Sequence, residues 1–281
     1  MTRFAAVTGA SRGIGRATAL ELAGGGDRVF ALARSEPELQ ELSAEASASG
    51  LHVTPQRLDV ADEASRRGAA AAILEATNGY GLDVLVNNAG HGQMGPMEEV
   101  SPEQLRLQLE VNVIGPLAFT QPFLPGMRER HRGVIVNVSS VAGRVVAPFG
   151  GAYAASKFAL EAMSDALRLE LAWFGVHVVL IEPGPIRTGF RDAARATMAE
   201  SPTSAYAPLV RRFEQGRKGW YRFERSPEDV ATIISRASRS KRPRPRYTIT
   251  APAKATAIAR RLLPDGVMDW VLRRAMSRSE R

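Results

Sequence analysis

Short runs of apolar and β-branched residues alternate along the chain with longer stretches rich in Ala, Leu and Glu. The clearest apolar runs fall at 4–8, 28–33, 82–88, 133–139 and 176–183. A weaker run at 51–60 contains Pro55, which weakens its reading as a strand. Continuous apolar strands that alternate with helical segments predict a parallel sheet covered by helices on both faces. We therefore expect a single Rossmann-like, doubly wound α/β sheet of about seven strands.

The clearest join in the chain lies at 240–250, "SKRPRPRYTIT". Its alternating prolines exclude a helix, and a short strand, Tyr247–Thr250, is expected to follow them. The segment 255–276 then reads as two short amphipathic helices broken at Pro264–Gly266. We divide the chain into a main α/β domain at 1–250 and a basic, amphipathic C-terminal extension at 251–281.

The amino-acid composition excludes several kinds of binding and catalytic site. The chain has 281 residues, 44% of them hydrophobic, and contains no cysteine. Disulfides, thiolate metal sites and cysteine nucleophiles are therefore excluded. The four histidines have no metal-ligand spacing, so we expect no metal site. No apolar run suggests a membrane span, the start does not resemble a signal peptide, and we expect a cytoplasmic protein.

Positive charge is concentrated in the last quarter of the chain. Residues 211–281 hold 19 of the 37 Lys and Arg residues but only 7 of the 29 Asp and Glu residues. Such a segment can bind nucleic acid or a membrane, or can simply form a solvated basic face. No nucleic-acid recognition motif accompanies it, so we expect no nucleic-acid partner. We favour packing of the extension over a pocket mouth or a second subunit, with peripheral membrane contact as the less favoured alternative.

The first apolar run leads into "TGASRGIG" at 8–15, which opens a helical stretch. Glycine permits a tight turn and close approach of a phosphate to the backbone. A helix that begins at this point directs free N–H groups and a positive dipole end at the same phosphate. The motif predicts a dinucleotide-binding loop with these candidate residues: Gly9, Ser11, Arg12, Gly13, Ile14 and Gly15.

Three motifs together carry a family resemblance. The Gly-x-x-x-Gly-x-Gly spacing of the first loop is followed by "NNAG" at 87–90 and by Tyr153-x-x-x-Lys157. In this order and spacing they resemble the short-chain dehydrogenase/reductase family, over about residues 2–250. The resemblance implies a nicotinamide cofactor and interconversion of a carbonyl and an alcohol. It also implies a homodimer or homotetramer formed through the helices that carry Asn112 and Tyr153.

A tyrosine and a lysine four residues apart share one face of a helix. A nearby ammonium group lowers the pKa of a tyrosine, which can then act as a general acid or base. The resemblance gives Tyr153 the proton transfer, and it gives Lys157 contact with the nicotinamide ribose. It assigns Ser140, 13 residues before Tyr153, to the carbonyl oxygen, whereas Ser139 is expected to point the other way. Asn112 is expected to bend its helix and hold a water that reaches Lys157.

The resemblance extends to further cofactor contacts. "LDV" at 58–60 resembles the segment that meets the adenine ring, and "NNAG" lines the nucleoside side of the site, with Asn87 as a looser candidate. "EPGPIRTGF" at 182–190 resembles the loop that shapes the nicotinamide pocket. Besides Tyr153 and Lys157, the implied cofactor-binding residues are Asp59, Val60, Asn88, Ala89, Gly90, Pro183, Gly184, Ile186 and Thr188.

The second strand indicates which cofactor is used. An acidic residue at its end would bind the ribose 2′-hydroxyl of NAD. Here Ala33 occupies that position, followed by Arg34, and Arg12 lies inside the glycine loop. Two guanidinium groups suit a 2′-phosphate, so NADP (NADPH) is favoured over NAD. Glu36 argues against this choice, and we interpret it as the first turn of the next helix.

Apolar residues dominate the stretches expected to form the substrate pocket. These residues are Val145, Val146, Pro148, Phe149, Phe190, Met198, Tyr206, Leu209 and Phe213. They predict a small lipophilic substrate. Residues 139–171 and 182–190 resemble steroid- and retinol-type members of the family more than reductases of fatty-acid synthesis. His91 is a candidate substrate contact, although a loop histidine is more often without a special role.

We therefore predict an NADP(H)-dependent oxidoreductase for a steroid-, retinoid- or lipid-like carbonyl or alcohol. A non-catalytic NADP-binding sensor or scaffold on the same fold is the alternative.

Overall fold

The computed structural model describes residues 2–198, 204–217 and 220–277. Within them seven strands form one parallel sheet in the order β3-β2-β1-β4-β5-β6-β7. The strands are β1 Phe4–Thr8, β2 Arg28–Ala33, β3 Val53–Arg57, β4 Val84–Asn87, β5 Gly133–Val138, β6 Val176–Pro183 and β7 Arg246–Ile249. The predicted doubly wound sheet is confirmed.

Helices cover both faces of this sheet. They are α1 Gly13–Gly24, α2 Glu36–Ala48, α3 Glu63–Ala76, α4 Pro102–Leu109, α5 Gly115–Thr120, α6 Leu124–Glu129, α7 Gly151–Leu171, α8 Phe190–Ala196, α9 Ala207–Arg217, α10 Pro227–Arg239, α11 Ala251–Leu262 and α12 Asp265–Ser277. No described helix is both long and apolar enough to cross a membrane.

The continuous apolar runs are explained by two hydrophobic cores, one on each side of the sheet. Ala5 and Val7 of β1 belong to one core, which they share with α1, α2 and α10. Ala6 points to the opposite core, which contains apolar residues of α3, α5, α6 and α7. Because successive side chains of a strand point to opposite faces, a strand buried on both faces requires apolar residues throughout.

The limits of two strands differ from the sequence expectation. β3 covers only Val53–Arg57 within the predicted 51–60 and lies at the sheet edge, where Pro55 is tolerated. β7 covers Arg246–Ile249, one residue earlier than predicted. Thr250 does not extend the strand because its φ is +82° and its side chain caps α11.

The extension folds as two helices, α11 and α12, as expected, but the break lies at Leu263–Pro264 rather than at Pro264–Gly266, because α12 already begins at Asp265. α12 packs against α9, and Met268 of α12 is buried. Part of the amphipathic extension is therefore packed against the rest of the protein, as expected. Residues 278–281 of the predicted extension lie outside the described residues.

The strand order reverses between β1 and β4, which are neighbours although two strands separate them in sequence. In doubly wound sheets a crevice opens at the carboxyl ends of the strands at such a reversal. The glycine loop follows β1 and the "NNAG" motif begins at the end of β4, so both lie at this crevice.

Candidate active site

The glycine loop is packed so tightly that side chains would not fit. Gly9 and Gly13 have φ of +66° and +57°, a region that favours glycine. A Cβ placed on Gly15 would lie 2.2 Å from the carbonyl oxygen of Gly9. The spacing of the three glycines thus follows from backbone conformation and close approach within the loop.

The N-terminus of α1 faces the crevice with its backbone donors available. Arg12 is the N-cap residue and makes no side-chain capping hydrogen bond within the described chain, and the first turn has no acidic residue. Unsatisfied N–H groups and the positive dipole end at such a terminus bind phosphate. Ser11 and Ile14 are half-buried beside them, and the Thr188 side chain approaches Gly13 from across the crevice.

The two loops at the strand reversal are joined by direct hydrogen bonds. The Thr8 hydroxyl accepts from the backbone N–H groups of Asn88 (3.0 Å) and Ala89 (2.9 Å). Asn88 Nδ2 donates to the Thr8 carbonyl at 2.9 Å. The "NNAG" motif therefore fixes the position of the glycine loop, and Gly90 continues from it toward Asn112.

The segment after β3 is held at the same edge of the sheet. Asp59 Oδ1 accepts from the backbone N–H of Ala61 at 3.0 Å. The Val60 carbonyl accepts from Arg66 Nη1 at 2.5 Å. A Cβ on Gly115 would lie 2.4 Å from that carbonyl oxygen, so α5 can approach this segment only through a glycine. Asp59 and Val60 are thereby placed at the carboxyl edge, near the site expected for an adenine ring.

Two arginines are exposed at the end of the crevice beyond β2. Arg34 follows the last residue of β2, and Arg12 lies in the glycine loop. Glu36 lies in the first turn of α2, as expected, and its carboxylate is 3.6 Å from Arg57 Nε. Burial lowers the pKa of His91, and the charge of Arg34 lowers it further, so the Arg34 guanidinium is near the loop after β4.

Tyr153 and Lys157 lie one turn apart on α7, and Lys157 Nζ is 5.7 Å from the centroid of the Tyr153 ring. The Lys157 side chain is buried, and Nζ donates to the Val138 carbonyl at the end of β5 at 2.9 Å. Ser140 caps the 3-10 turn Val141–Gly143, with its Oγ accepting from Ala142 N at 3.1 Å. Strand β5 and helix α7 thus bring together three of the four residues expected to be catalytic.

Burial decides the protonation of this group. It raises the pKa of Tyr153 to about 12, opposed by a hydrogen bond from Ser140. Burial also lowers the pKa of Lys157 to about 8, opposed by the negative charge of Glu161. Contrary to the expectation from spacing, the pKa of Tyr153 is raised, because its desolvation dominates and the Lys157 ammonium does not offset it. Tyr153 therefore carries its proton at neutral pH and is prepared to donate it.

Ser139 and Ser140 have different surroundings, as expected for neighbouring residues at a strand end. The Ser139 N–H donates to the Ile181 carbonyl at 2.8 Å, and its side chain is buried beside Glu161. Ser140 is half-buried and faces Tyr153. The structure supports the choice of Ser140 as the residue that meets a carbonyl oxygen.

Asn112 lies in a π-helical turn, Glu110–Ile114, between α4 and α5. Such turns bend a helix and occur often at functional sites. Its Oδ1 accepts from His91 N at 2.8 Å, and its Nδ2 donates to the His91 carbonyl at 2.9 Å and to Ser156 Oγ at 3.0 Å. The side chain therefore joins the loop after β4 to α7 and contacts the neighbour of Lys157 rather than Lys157 itself.

A buried ionic cluster lies one helical turn beyond Lys157. Arg246 Nε is 3.1 Å from Glu161 Oε2 and 3.3 Å from Glu182 Oε1. Arg144 Nη2 is 2.8 Å from the same Glu182 oxygen. These pairs connect α7, β6, β7 and the segment after Ser140. The backbone that positions Lys157 and Ser140 is therefore anchored by ion pairs in a buried environment.

The loop after β6 closes the crevice on the side opposite the glycine loop. Pro183 ends β6, and Gly184 N donates to the Ile249 carbonyl at 3.0 Å. A Cβ on Gly184 would lie 2.2 Å from Thr250 Oγ1, so this contact also requires glycine. Ile186 forms an isolated bridge with Arg225 and directs the chain toward Thr188.

Three of the residues predicted for the pocket wall, Phe149, Phe190 and Phe213, pack on aromatic neighbours. The Phe190 ring centroid is 5.6 Å from that of Tyr153, and Phe149 and Phe213 are 5.5 Å apart. Tyr206 instead donates to Glu98 Oε2 at 2.6 Å. Of the other residues predicted for the wall, Val146 and Leu209 are exposed, and Val145, Pro148 and Met198 are half-buried.

Several residues that build the site were not predicted from the sequence: Thr8, Gln108, Arg144, Ser156, Glu161, Glu182 and Arg246. Gln108 is fully buried and donates to the His91 carbonyl and to Ser156 Oγ, as Asn112 does. Its signal was its position four residues before Asn112, which places both amides on one helix face. Glu161 had the corresponding signal, since it lies four residues after Lys157.

The residues at the crevice fit a dinucleotide with a nicotinamide ring. The uncapped helix terminus and the glycine cradle suit a pyrophosphate, and Lys157 and Tyr153 lie beyond it along the strand ends. Among the described residues no group of three or more His, Cys, Asp or Glu could hold a metal ion.

Comparison with known proteins agrees with this geometry. The family model for short chain dehydrogenases matches residues 3–199. The chain is 37% identical over 274 residues to an uncharacterized oxidoreductase, YbbO, of Escherichia coli K12, covering 97% of this chain and 94% of that protein. It is 33% identical to an NADPH-dependent 3-dehydrocapnine reductase of Ornithobacterium rhinotracheale, covering 96% and 95%.

Two further similarities concern a steroid enzyme and a solved structure. Human 17-beta-hydroxysteroid dehydrogenase type 1 is 34% identical over 254 residues, covering 87% of this chain and 76% of that protein. A short chain dehydrogenase/reductase from Burkholderia phymatum in complex with NAD superimposes with a TM-score of 0.81 at 30% identity, covering 92% and 93%. The chain belongs to the short-chain dehydrogenase/reductase family of oxidoreductases.

Proposed function

We propose that the protein is an NADPH-dependent reductase of lipophilic ketones or aldehydes, able to catalyse the reverse oxidation of the alcohol. The observation that carries this proposal is the half-buried Tyr153, which faces Ser140 and lies one helical turn from Lys157. Desolvation keeps the Tyr153 hydroxyl protonated at neutral pH, so it holds a proton that it can give up during reduction. Reduction of a carbonyl needs a donor of this kind at the oxygen.

Each of the three side chains has a distinct task in this reaction. A nicotinamide cofactor bound at the crevice would supply a hydride to the carbonyl carbon. Tyr153 Oη transfers its proton to the carbonyl oxygen, which gains the electron pair of the broken π bond. Ser140 Oγ donates a hydrogen bond to the same oxygen, and the cationic form of Lys157 stabilises the phenolate that remains. Asn112 holds the loop after β4 against α7 and so keeps the site in register.

Arg12 and Arg34 support NADPH over NADH. Both guanidinium groups are exposed at the β2 end of the crevice, where a 2′-phosphate would lie. No acidic side chain follows β2 directly, and Glu36 is engaged toward Arg57. One relative is described as NADPH-dependent, whereas another was solved with NAD, so the preference rests on these two arginines.

The aromatic wall supports a lipophilic substrate. Phe190 packs beside the Tyr153 ring, and Phe149 and Phe213, which were also predicted for the pocket wall, pack on each other. One relative acts, by its name, on a hydroxysteroid. We assign a steroid-, retinoid- or lipid-like substrate class on these grounds.

The alternative is a non-catalytic NADP-binding sensor or scaffold. A sensor would need the glycine loop and the arginines, but it has no use for a Tyr153 with Ser140 and Lys157 beside it. The intact proton-transfer group therefore favours the enzyme.

The test is oxidation of NADPH and of NADH, followed by absorbance, with a panel of lipophilic ketones and aldehydes. We expect turnover with NADPH. Arg34→Ala should raise the KM for NADPH about 10- to 100-fold, because hydrogen bonds to charged groups contribute about 1.5–3 kcal/mol. The KM for NADH should change little, and Arg67→Ala, an exposed arginine of α3, is the matched control.

Binding of NADPH without turnover of any panel member would favour the sensor. Equal KM values for the two cofactors, unchanged by Arg34→Ala, would contradict the cofactor assignment.

A further inference from the structure

The last two helices leave a large apolar surface uncovered in the described part of the chain. We define the tail surface as the exposed side of α11 and α12. Leu262 is 72% exposed and Trp270 is 60% exposed. The large apolar residues exposed there are Ile258, Leu262, Leu263, Val267, Trp270 and Val271. The opposite side is packed, since Ala253 and Met268 are buried and α12 rests on α9. The two helices thus bury some apolar residues against the protein and expose others to solvent.

The exposed residues are grouped rather than scattered. On α12, Val267, Trp270, Val271 and Arg274 follow the spacing i, i+3, i+4 and i+7, which defines one helix face. On α11, Ile258 and Leu262 are four residues apart, with Arg261 next to them. Contiguous exposed apolar surface of this kind marks an interaction site rather than ordinary solvent-facing protein.

Basic residues surround the apolar centre. Residues 251–277 contain the cations Lys254, Arg260, Arg261, Arg273 and Arg274, against the two acids Asp265 and Asp269. Arg260 Nη1 is 2.5 Å from Asp265 Oδ1, so one acid is already engaged. The Arg274 guanidinium lies 5.5 Å from the centroid of the Trp270 ring. An apolar stripe with an indole and a cationic rim is typical of helices that lie in the headgroup region of anionic membranes.

Charge also distinguishes this surface from a contact between copies. A twofold contact would place the cationic rim of one subunit against the same rim of the other. Like charges at close range oppose such a contact, whereas anionic lipid headgroups attract the cationic rim.

From these observations we propose that the tail surface binds peripherally to anionic lipid bilayers. Trp270, Val267 and Val271 would enter the headgroup boundary, and the arginines would contact lipid phosphates. α12 packs on α9, and α9 carries Phe213 of the aromatic wall. Docking would therefore bring the substrate pocket close to the bilayer. This last consequence rests on the proposed lipophilic substrate, but the binding itself does not.

The test is co-sedimentation of the full chain with vesicles of phosphatidylcholine, with and without phosphatidylglycerol. We expect binding to the anionic vesicles, weakened by high salt. The double substitution Val267→Ser/Val271→Ser should lower the partition coefficient about tenfold or more. Trp173→Ser is the matched control, because Trp173 is 87% exposed and lies outside the tail surface.

Two further readouts keep the proposal falsifiable if the serine variant folds poorly. Arg261→Glu/Arg273→Glu alters only exposed charges and should abolish binding to anionic vesicles at low salt. Tryptophan emission of the wild type should shift to shorter wavelength on these vesicles, and Trp270→Phe should remove the shift.

Three results would overturn the proposal: no sedimentation with anionic vesicles, binding that is indifferent to all three tail variants, or loss of self-association in the tail variants without any vesicle binding. The last would assign the surface to a second copy of the chain. None of these measurements depends on turnover, so a negative result would not bear on the proposed reductase activity. A protein that binds vesicles but shows no turnover would contradict the reductase and leave the membrane proposal standing.

Discussion

Tyr153 and Lys157 show how burial changes the chemistry that spacing alone suggests. Four-residue spacing predicted that the lysine would promote ionisation of the tyrosine. Burial dominates instead, raising the pKa of Tyr153 to about 12 and lowering that of Lys157 to about 8. The spacing of residues in the sequence indicates which side chains are neighbours, but it does not show how strongly each is desolvated in the folded protein. The proximity of Ser140, Tyr153 and Lys157 could therefore be predicted, and the pKa shifts of Tyr153 and Lys157 could not.

The lowered pKa of Lys157 predicts a pH-dependent stability. Its ordinary pKa is 10.5 and its folded value is about 8. Between these values the unfolded chain holds a proton that the folded chain lacks, so stability rises with pH through this window and is lost as pH falls through about 8. Relative to Lys157→Met, the free energy of unfolding of the wild type should increase by up to about 3 kcal/mol from pH 7 to 10.5.

Urea unfolding at several pH values and one protein concentration measures this difference. Lys254→Met is the control, since Lys254 is exposed on α11 and its curve should run parallel to the wild type. Parallel curves for Lys157→Met as well would show that Lys157 is not desolvated in the folded protein.

At the scale of elements, the order of motifs predicted the fold well because each motif ends or begins an element. The glycine loop joins β1 to α1, and "NNAG" begins at the end of β4. The resemblance led us to expect a bend at Asn112, but its form as a π-helical turn, with contacts to His91 and Ser156 from distant elements, could not be predicted. The ionic cluster of Glu161, Glu182 and Arg246 was missed for the same reason, since three separate elements supply it.

Two helical glycines distinguish a position where close packing requires glycine from a position where glycine only lowers the helix propensity. Gly15→Ala would place a Cβ 2.2 Å from the Gly9 carbonyl oxygen, whereas a Cβ on Gly68 of α3 would meet no described atom within 4 Å. We expect Gly15→Ala to cost about 3 kcal/mol of stability and to weaken NADPH binding. Gly68→Ala should stabilise the protein by about 0.5–1 kcal/mol.

Thermal unfolding and a fluorescence titration with NADPH provide both readouts for the glycine pair. Normal cofactor affinity in Gly15→Ala would contradict the assignment of this loop to the dinucleotide.

At the scale of the whole molecule, two exposed apolar surfaces lie on different elements. One is the tail surface. The other follows the helices that carry Asn112 and Tyr153, where the exposed residues are Leu107, Ile114, Phe158 and Leu169. The family resemblance led us to expect a dimer or tetramer through these helices, and large uncovered side chains on them support that proposal.

The oligomer predicts a molecular mass that is a multiple of the 30.3 kDa chain. Leu169→Glu should shift the mass toward that of one chain, because a carboxylate would be buried without a partner in the contact. Light scattering after size exclusion measures the mass, and Leu262→Ser on the tail surface is the control. A wild-type protein that is already monomeric would contradict the proposed contact between subunits.

The central claim is that Tyr153 donates the proton in carbonyl reduction, and the most direct measurement compares wild type with Tyr153→Phe under saturating NADPH. The substitution removes one hydroxyl from a ring that remains packed against Phe190. We predict that kcat falls about a hundredfold to ten-thousandfold while the Kd for NADPH and the thermal stability stay close to those of the wild type. Undiminished turnover in Tyr153→Phe would contradict the account.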